Sequence, residues 1–241
     1  MKRNPKRRSL GFTMVELLIV MAIIAMLAIA AIPAYNALAT ANAINRASVD
    51  IAGMLEQARA YAMANNTYVY VGLQEVDGVT PSAANGTGRL VMVVVDSTNG
   101  MRPYTTLSGT PAISTNVAPL FKPQQFNGVH LTSSASLNNG MTMSKRPTVS
   151  QDLSTVTSTA SFQWPLAGAP QNSFTKVLEF DPQGVPRVQQ GSTFNSAVTS
   201  CIEIPLITAH GNIAPTTSAQ TANQAAVQID GMTGTVRIFQ P

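Results

Sequence analysis

From Phe12 to Ile32 the chain stays apolar for 21 residues except for one charge, Glu16. At 1.5 Å per residue such a helix is about 30 Å long, the thickness of a bilayer hydrocarbon core. Its uninterrupted part, Leu17–Ile32, is 16 residues. That lies between the length of a signal-peptide core and that of a membrane span, so length alone leaves both readings open. Pro33 removes one N–H and predicts a kink near the outer membrane surface. Beyond it, Ile44, Ile51, Leu55, Ala58 and Ala62 recur at steps of 7, 4, 3 and 4, which is one helical face. Arg46, Asp50, Glu56 and Arg59 lie mostly off that stripe. Asn65-Asn66 predicts the helix end. A helix over 12–64 would be about 80 Å long, with roughly 50 Å outside a bilayer.

From Thr67 the period changes. Tyr68–Leu73 alternates and is rich in β-branched and aromatic residues, which predicts a strand. Leu90–Val95 is continuously apolar, as in a strand buried on both faces. Shorter candidate strands are Met101–Leu107, Val129–Leu131, Ser161–Trp164, Val177–Phe180, Cys201–Ile204, Ala226–Ile229 and Thr235–Phe239. Turn sequences such as D-G-V-T-P, N-G-T-G, D-P-Q-G and D-G-M-T-G separate several of them. One long helix followed by short, turn-punctuated strands predicts an α+β fold with antiparallel sheet. Segments 108–125, 144–160 and 205–223, rich in Ser, Thr, Pro and Asn, are predicted loops and candidate interaction surfaces.

Charge changes this picture at the N-terminus only. The net charge is +4, but Lys2, Arg3, Lys6, Arg7 and Arg8 supply five of the 15 basic residues. Removing residues 1–11 leaves 10 basic residues against 11 acidic ones. Five cations before the apolar run, and none until Arg46, place the N-terminus in the cytoplasm and the rest across the membrane. The single cysteine, Cys201, excludes an internal disulfide and a paired-cysteine zinc or redox site.

Glu16 is the anomalous residue. A carboxylate at the centre of a bilayer costs roughly 2.5–3.5 kcal/mol on insertion scales. Four residues from Phe12, Glu16 is about 6 Å along the helix and can reach the interface. An ionisable group there points to a function and needs a partner. If the Gly11–Phe12 bond were cut, the new amine at Phe12 could pair with Glu16 of a neighbouring helix. At ~4 Å and an effective dielectric of ~20 the attraction is roughly 4 kcal/mol before desolvation, enough to set register between apolar helices.

The run K-R-R-S-L-G-F-T-M-V-E-L-L-I-V, residues 6–20, resembles the type III signal of type IV prepilins and type II secretion pseudopilins. It combines a short basic leader, Gly11 before the cut, Phe12 after it and Glu16 as the fifth mature residue. The resemblance implies cleavage after Gly11, N-methylation of Phe12 by a prepilin peptidase and docking of Glu16 into a filament. Pro33 falls where such helices often carry a proline. V-L-E-F-D-P-Q-G (177–184) and V-Q-I-D-G-M-T-G-T-V-R-I (227–238) are similar to hairpins of the GspH/FimT-type minor pseudopilin family. That resemblance implies a pilin-like fold, with the long helix packed on an antiparallel sheet or sandwich. The expected domains are a cleaved leader, 1–11, a transmembrane and assembly helix, 12–33, its amphipathic periplasmic continuation, 34–65, and a β-rich domain, 66–241. The expected partners are prepilin peptidase, other pilin or pseudopilin subunits and the inner membrane. The product is a single-pass inner-membrane protein that passes into a periplasmic pseudopilus or pilus.

No phosphate-binding loop, nucleophile elbow or zinc-protease motif is present. No catalytic, cofactor or metal residue is expected. His130 and His210 read as surface or edge imidazoles, Cys201 as a buried thiol and Trp164 as a core anchor. Glu179 and Asp181 read as a solvated strand face or turn cap, and N-G-T-G-R (85–89) as a hairpin turn. A DNA-uptake role would call for a basic terminal hairpin. Gly234-Thr235-Val236-Arg237 carries one arginine, and residues 66–241 balance eight basic with eight acidic residues, which argues against nucleic acid. The remaining alternative is a secreted binding protein with an ordinary signal peptide cut near Ala34.

Overall fold

The computed structural model describes residues 13–80, 85–102, 116–137, 143–156, 162–165, 172–190, 193–194, 199–214 and 223–241. Within these, the side chains of 30–41, 144, 189–190 and 193–194 are not described. The chain divides into two compact units, Met1–Ala39 and Thr40–Pro241. Helix α1 runs from Met14 to Asn65 and is helical through Pro33. It ends as the paired asparagines predict. Asn66 takes a left-handed φ of 49°, and Thr67 N–H donates to Ala62 O at 3.1 Å, closing a Schellman-type cap.

The strands follow in chain order: β1 Val69–Asp77, β2 Gly88–Ser97, β3 Val117–Pro119, β4 Gln124–Asn127 and β5 Val129–Leu131. Next come β6 Gln151–Asp152, β7 Phe162–Trp164, β8 Asn172–Phe174, β9 Lys176–Phe180 and β10 Pro186–Gln190. The last are β11 Thr193–Phe194, β12 Cys201–Thr208, β13 Gln224–Asp230 and β14 Val236–Phe239. One sheet has the order β11-β10-β9-β1-β2-β3, with β4 also on β2. A second has the order β14-β13-β12-β5, with β6 beside β12, and β7 and β8 form a separate hairpin. All pairings are antiparallel except β6 with β12. The α+β class with a helix on antiparallel sheet is therefore observed.

In the second unit the helix buries the predicted stripe, Ile44, Ile51, Leu55, Ala58 and Ala62, extended by Ala47 and Met54. These residues share one core with Val69, Val71 and Leu73 of β1, Leu90, Met92 and Val94 of β2, and Ile202, Ile204 and Leu206 of β12. Strand β2 is buried on both faces as its apolar run predicts, because Val93 and Val95 enter a second cluster. Strand β1 is buried on both faces over Val69–Leu73. Tyr70 is buried beneath Phe162 and Phe174, whose rings stack at 5.3 Å. The β7–β8 hairpin thus covers the outer face of the first sheet. It can do so because residue 72 is glycine: a Cβ there would lie 2.5 Å from the Phe162 ring.

Three predicted loops are corrected. Segment 205–223 contributes Pro205–Thr208 to β12, a strand buried along its whole length. Proline is tolerated there for a local reason. Pro205 O accepts from Thr132 N at 3.2 Å, so the missing N–H faces the same edge. At that edge β6 pairs with residues 202 and 203, and β5 begins at Leu206, so no ladder bond is lost. Segment 108–125 holds β3 and the start of β4, and segment 144–160 holds β6. Met101 and Arg102 are not in a strand, and 103–107 lies outside the described residues.

Candidate assembly site

The apolar N-terminal helix opens with a reciprocal cap. Leu17 N–H donates to Thr13 O at 3.2 Å, which makes Thr13 the N-cap. Thr13 Oγ1 accepts from Glu16 N at 3.2 Å, and Glu16 Oε2 accepts from Thr13 N and Thr13 Oγ1 at 3.4 Å. Thr-x-x-Glu at this spacing is a capping box, which satisfies two of the donors a helix start leaves free. The positive end of the helix dipole also favours a carboxylate in the first turn. The fold therefore turns Glu16 back towards the chain start. The T-x-x-E spacing was legible in the sequence, yet reading the helix from Phe12 missed it. Gly11 and Phe12 lie outside the described residues, as does the Pro33 side chain.

Behind Glu16, Met14, Leu17, Leu18, Met21, Ile24, Leu27 and Ile29 are all exposed, Met14 to 91%. Residues 13–29 are exposed at every position around the helix. An all-apolar, uncovered helix of this kind requires lipid or protein around it. Among the described residues no helix is long and apolar enough to cross a membrane. The side chains described in this run are those of 13–29, fewer than the roughly 20 residues of a span.

The other singled-out residues are not brought together with Glu16. His130 lies on β5 at the edge of the second sheet, as read, and there its Nδ1 is 2.7 Å from Glu75 Oε1. No sequence pattern links two residues 55 positions apart. His210 is exposed in a loop. Trp164 is half-buried against the Phe162 cluster. Residues 85–89 do serve the β1–β2 hairpin. Asp181 is a turn cap, accepting from Gln183 N and Val185 N at 2.9 Å and facing Arg187 at 3.2 Å. The solvated-face reading of Glu179 is overturned: it is fully buried and ion-paired with Arg102 at 2.9 Å. Arg237 is exposed on edge strand β14. Among the described residues no group of three or more His, Cys, Asp or Glu could hold a metal.

Cys201 is buried as expected, and burial, followed by the Glu203 and Asp230 carboxylates, pushes its thiol up to about 11. At pH 8 an alkylating reagent is expected to label it at least tenfold more slowly than a free thiol with a pKa of ~8.5. Intact mass after timed exposure measures this, and labelling at the free-thiol rate would contradict the burial.

Residues 6–32 match the prokaryotic N-terminal methylation motif. No curated protein and no solved structure matches the chain. The matched motif takes in the end of the basic leader from Lys6, Glu16 and the exposed apolar residues 14–29. It implies processing by prepilin peptidase and assembly with other pilins. The chain thus carries a prepilin-type N-terminal methylation motif over residues 6–32.

Proposed function

We propose that the protein is a structural minor pilin or pseudopilin of a type II secretion pseudopilus or a type IV pilus, the GspH/FimT-type resemblance favouring a minor subunit. The carrying observation is the helix that is apolar and uncovered on every side behind a capped glutamate, within the matched motif. The precursor inserts as a single-pass inner-membrane protein with a cytoplasmic leader, residues 1–11. Prepilin peptidase cuts at Gly11–Phe12 and methylates the Phe12 amine. The subunit then leaves the bilayer sideways, its 12–33 helix exchanging lipid for other helices. The Glu16 carboxylate meets the amine of the next subunit, and a bend at Pro33 aims the 34–65 continuation and the β-rich domain into the periplasm. In this role the protein is a subunit and not an enzyme.

The intact mass of the membrane-extracted mature chain tests the reading. A chain beginning at monomethylated Phe12 is expected. A chain beginning near Tyr35 would replace it with a secreted protein cut by signal peptidase, and an uncut chain would remove it.

A further inference from the structure

The β1–β2 turn and the turn after β12 meet at one end of the second unit. Gly78 and Gly88 allow the approach, since a Cβ on them would lie 2.2 and 1.7 Å from Gly211 O. Asn212 Nδ2 donates to Asp77 Oδ2 at 3.5 Å across the junction. Each turn holds one exposed aliphatic side chain in place. Asp77 Oδ1 accepts from Val79 N at 2.6 Å and Thr80 N at 2.8 Å, and Val79 is 64% exposed. His210 and Ile213 exchange backbone hydrogen bonds at 3.2 and 3.1 Å, and Ile213 is 68% exposed. Residues 78–88 and 209–223 contain no Asp, Glu, Lys or Arg. The charges beside them are engaged within the fold. Asp77 caps its own turn, Glu75 Oε1 accepts from Gly88 N at 3.0 Å, and Arg89 donates to Asn127 Oδ1 at 2.6 Å and Gly78 O at 3.2 Å. This is also the end at which α1 joins the unit. Gly128 N donates to Gly88 O at 2.8 Å, Ala209 N donates to Gly128 O at 2.9 Å, and Ala43 lies 3.9 Å from the position of a Gly128 Cβ. Ala43 is ten residues beyond Pro33, about 15 Å of helix.

We propose that this end of the β-rich domain docks on the lipid surface of the membrane, with Val79 and Ile213 entering the headgroup layer, an inference that rests on the reading of 12–33 as a membrane anchor. The headgroup layer itself takes up about 5–7 Å of the 15 Å between Pro33 and Ala43. No charge on either turn has to leave water for the contact to form. Both side chains sit on turns already fixed by hydrogen bonds, so docking orders little backbone. The anchor keeps the lipid surface within reach, which makes the contact effectively intramolecular. Two aliphatic side chains therefore suffice where an unanchored protein needs a whole apolar face. The contact sets the orientation of the domain while the subunit is held in the bilayer, before it enters a filament.

Fluorescence of full-length chains in phosphatidylethanolamine–phosphatidylglycerol vesicles tests this. Each chain carries Cys201→Ala and one new cysteine bearing an environment-sensitive fluorophore. Ile213→Cys lies on the proposed contact, Met21→Cys in the apolar helix and Met232→Cys on the β13–β14 turn, all at exposed positions. That turn packs on Arg59, sixteen residues along α1 from Ala43. Lipids with a nitroxide at the headgroup are expected to quench the Ile213 probe about twofold and to leave the Met232 probe unchanged. Val79→Asp should release that quenching, because it brings a charge into the contact. An unquenched Ile213 probe, or quenching indifferent to Val79→Asp, overturns the proposal. So does a blue shift without lipid quenching, which would make the occupant a neighbouring protein. The Met21 probe, read with nitroxides deep in the acyl chains, separates the two readings. If it is quenched while the Ile213 probe is not, only this inference fails; if it is not quenched, the membrane reading falls and takes this inference with it.

Discussion

A chain carrying Glu16→Ala is expected to be cut at Gly11–Phe12 at close to the normal level and to enter filaments at least tenfold less well. The proposed cut makes Glu16 the fifth mature residue, and in that reading it depends on the leader and Gly11. In the proposed role, incorporation depends on a charge that otherwise sits uncovered among exposed methionines, leucines and isoleucines. A carboxylate and an amine at ~4 Å attract by roughly 4 kcal/mol at an effective dielectric of ~20, and desolvation removes part of that. A net of about 1.4 kcal/mol is tenfold. Glu16 also caps its own helix, and losing that cap costs about 1 kcal/mol at most sites. Glu16→Gln separates the two roles, because glutamine keeps the capping box and discards the charge. Glutamine should therefore fail in incorporation almost as badly as alanine. Immunoblots of sheared surface or periplasmic filaments against whole cells measure both variants. Normal incorporation of the alanine variant would end the docking role. Normal incorporation of glutamine with failure of alanine would assign the effect to the cap alone.

Arg146→Met is expected to lower stability by about 3–5 kcal/mol, because it strands a buried charge. Glu203 is 0% exposed on β12, and its Oε2 accepts from Arg146 Nε at 3.1 Å and from Gln228 Nε2 at 2.6 Å. Its other oxygen, Oε1, has no partner among the described residues. Arg146 also donates to Met143 O at 3.2 Å and Ser134 O at 3.0 Å, so one guanidinium ties both of these backbone carbonyls to Glu203 of the second sheet. For a domain of this size the loss corresponds to a fall in Tm of about 10 °C, read by thermal melting of the detergent-solubilised mature chain. Removing both charges with Arg146→Met and Glu203→Leu should recover part of it, since the desolvated carboxylate disappears too. A single-variant loss under about 1 kcal/mol would show that Glu203 reaches water and that the ion pair is not buried in solution.

Much of the fold was legible because it is local. The stripe Ile44–Ala62 repeats at the helical period, and all five of its predicted members are buried. Leu90–Val95 reads as a strand covered on both sides, and it is. D-P-Q-G and D-G-M-T-G make hairpin turns because an aspartate accepts from the following amides and a glycine takes positive φ. What failed was non-local. Pro205 reads as a strand breaker until the two neighbouring strands are seen to leave a gap opposite its nitrogen. Nothing close to Tyr70 in the chain marks it as buried, because the hairpin that covers it forms 90 residues later.

The candidate site divides in the same way. A basic leader, a span-length apolar run, Gly11-Phe12 and a glutamate five residues into the mature chain are contiguous, so their meaning needs no folded partner. The pairing of Glu179 with Arg102, Glu203 with Arg146 and His130 with Glu75 joins residues 55 to 77 positions apart. Only chain topology brings such groups within hydrogen-bond distance. The same holds for the turns of Val79 and Ile213, joined through Asp77 and Asn212, which are 135 positions apart. The two aliphatic residues were therefore visible from the start, whereas their place at one end of the fold emerged only once the sheets had closed.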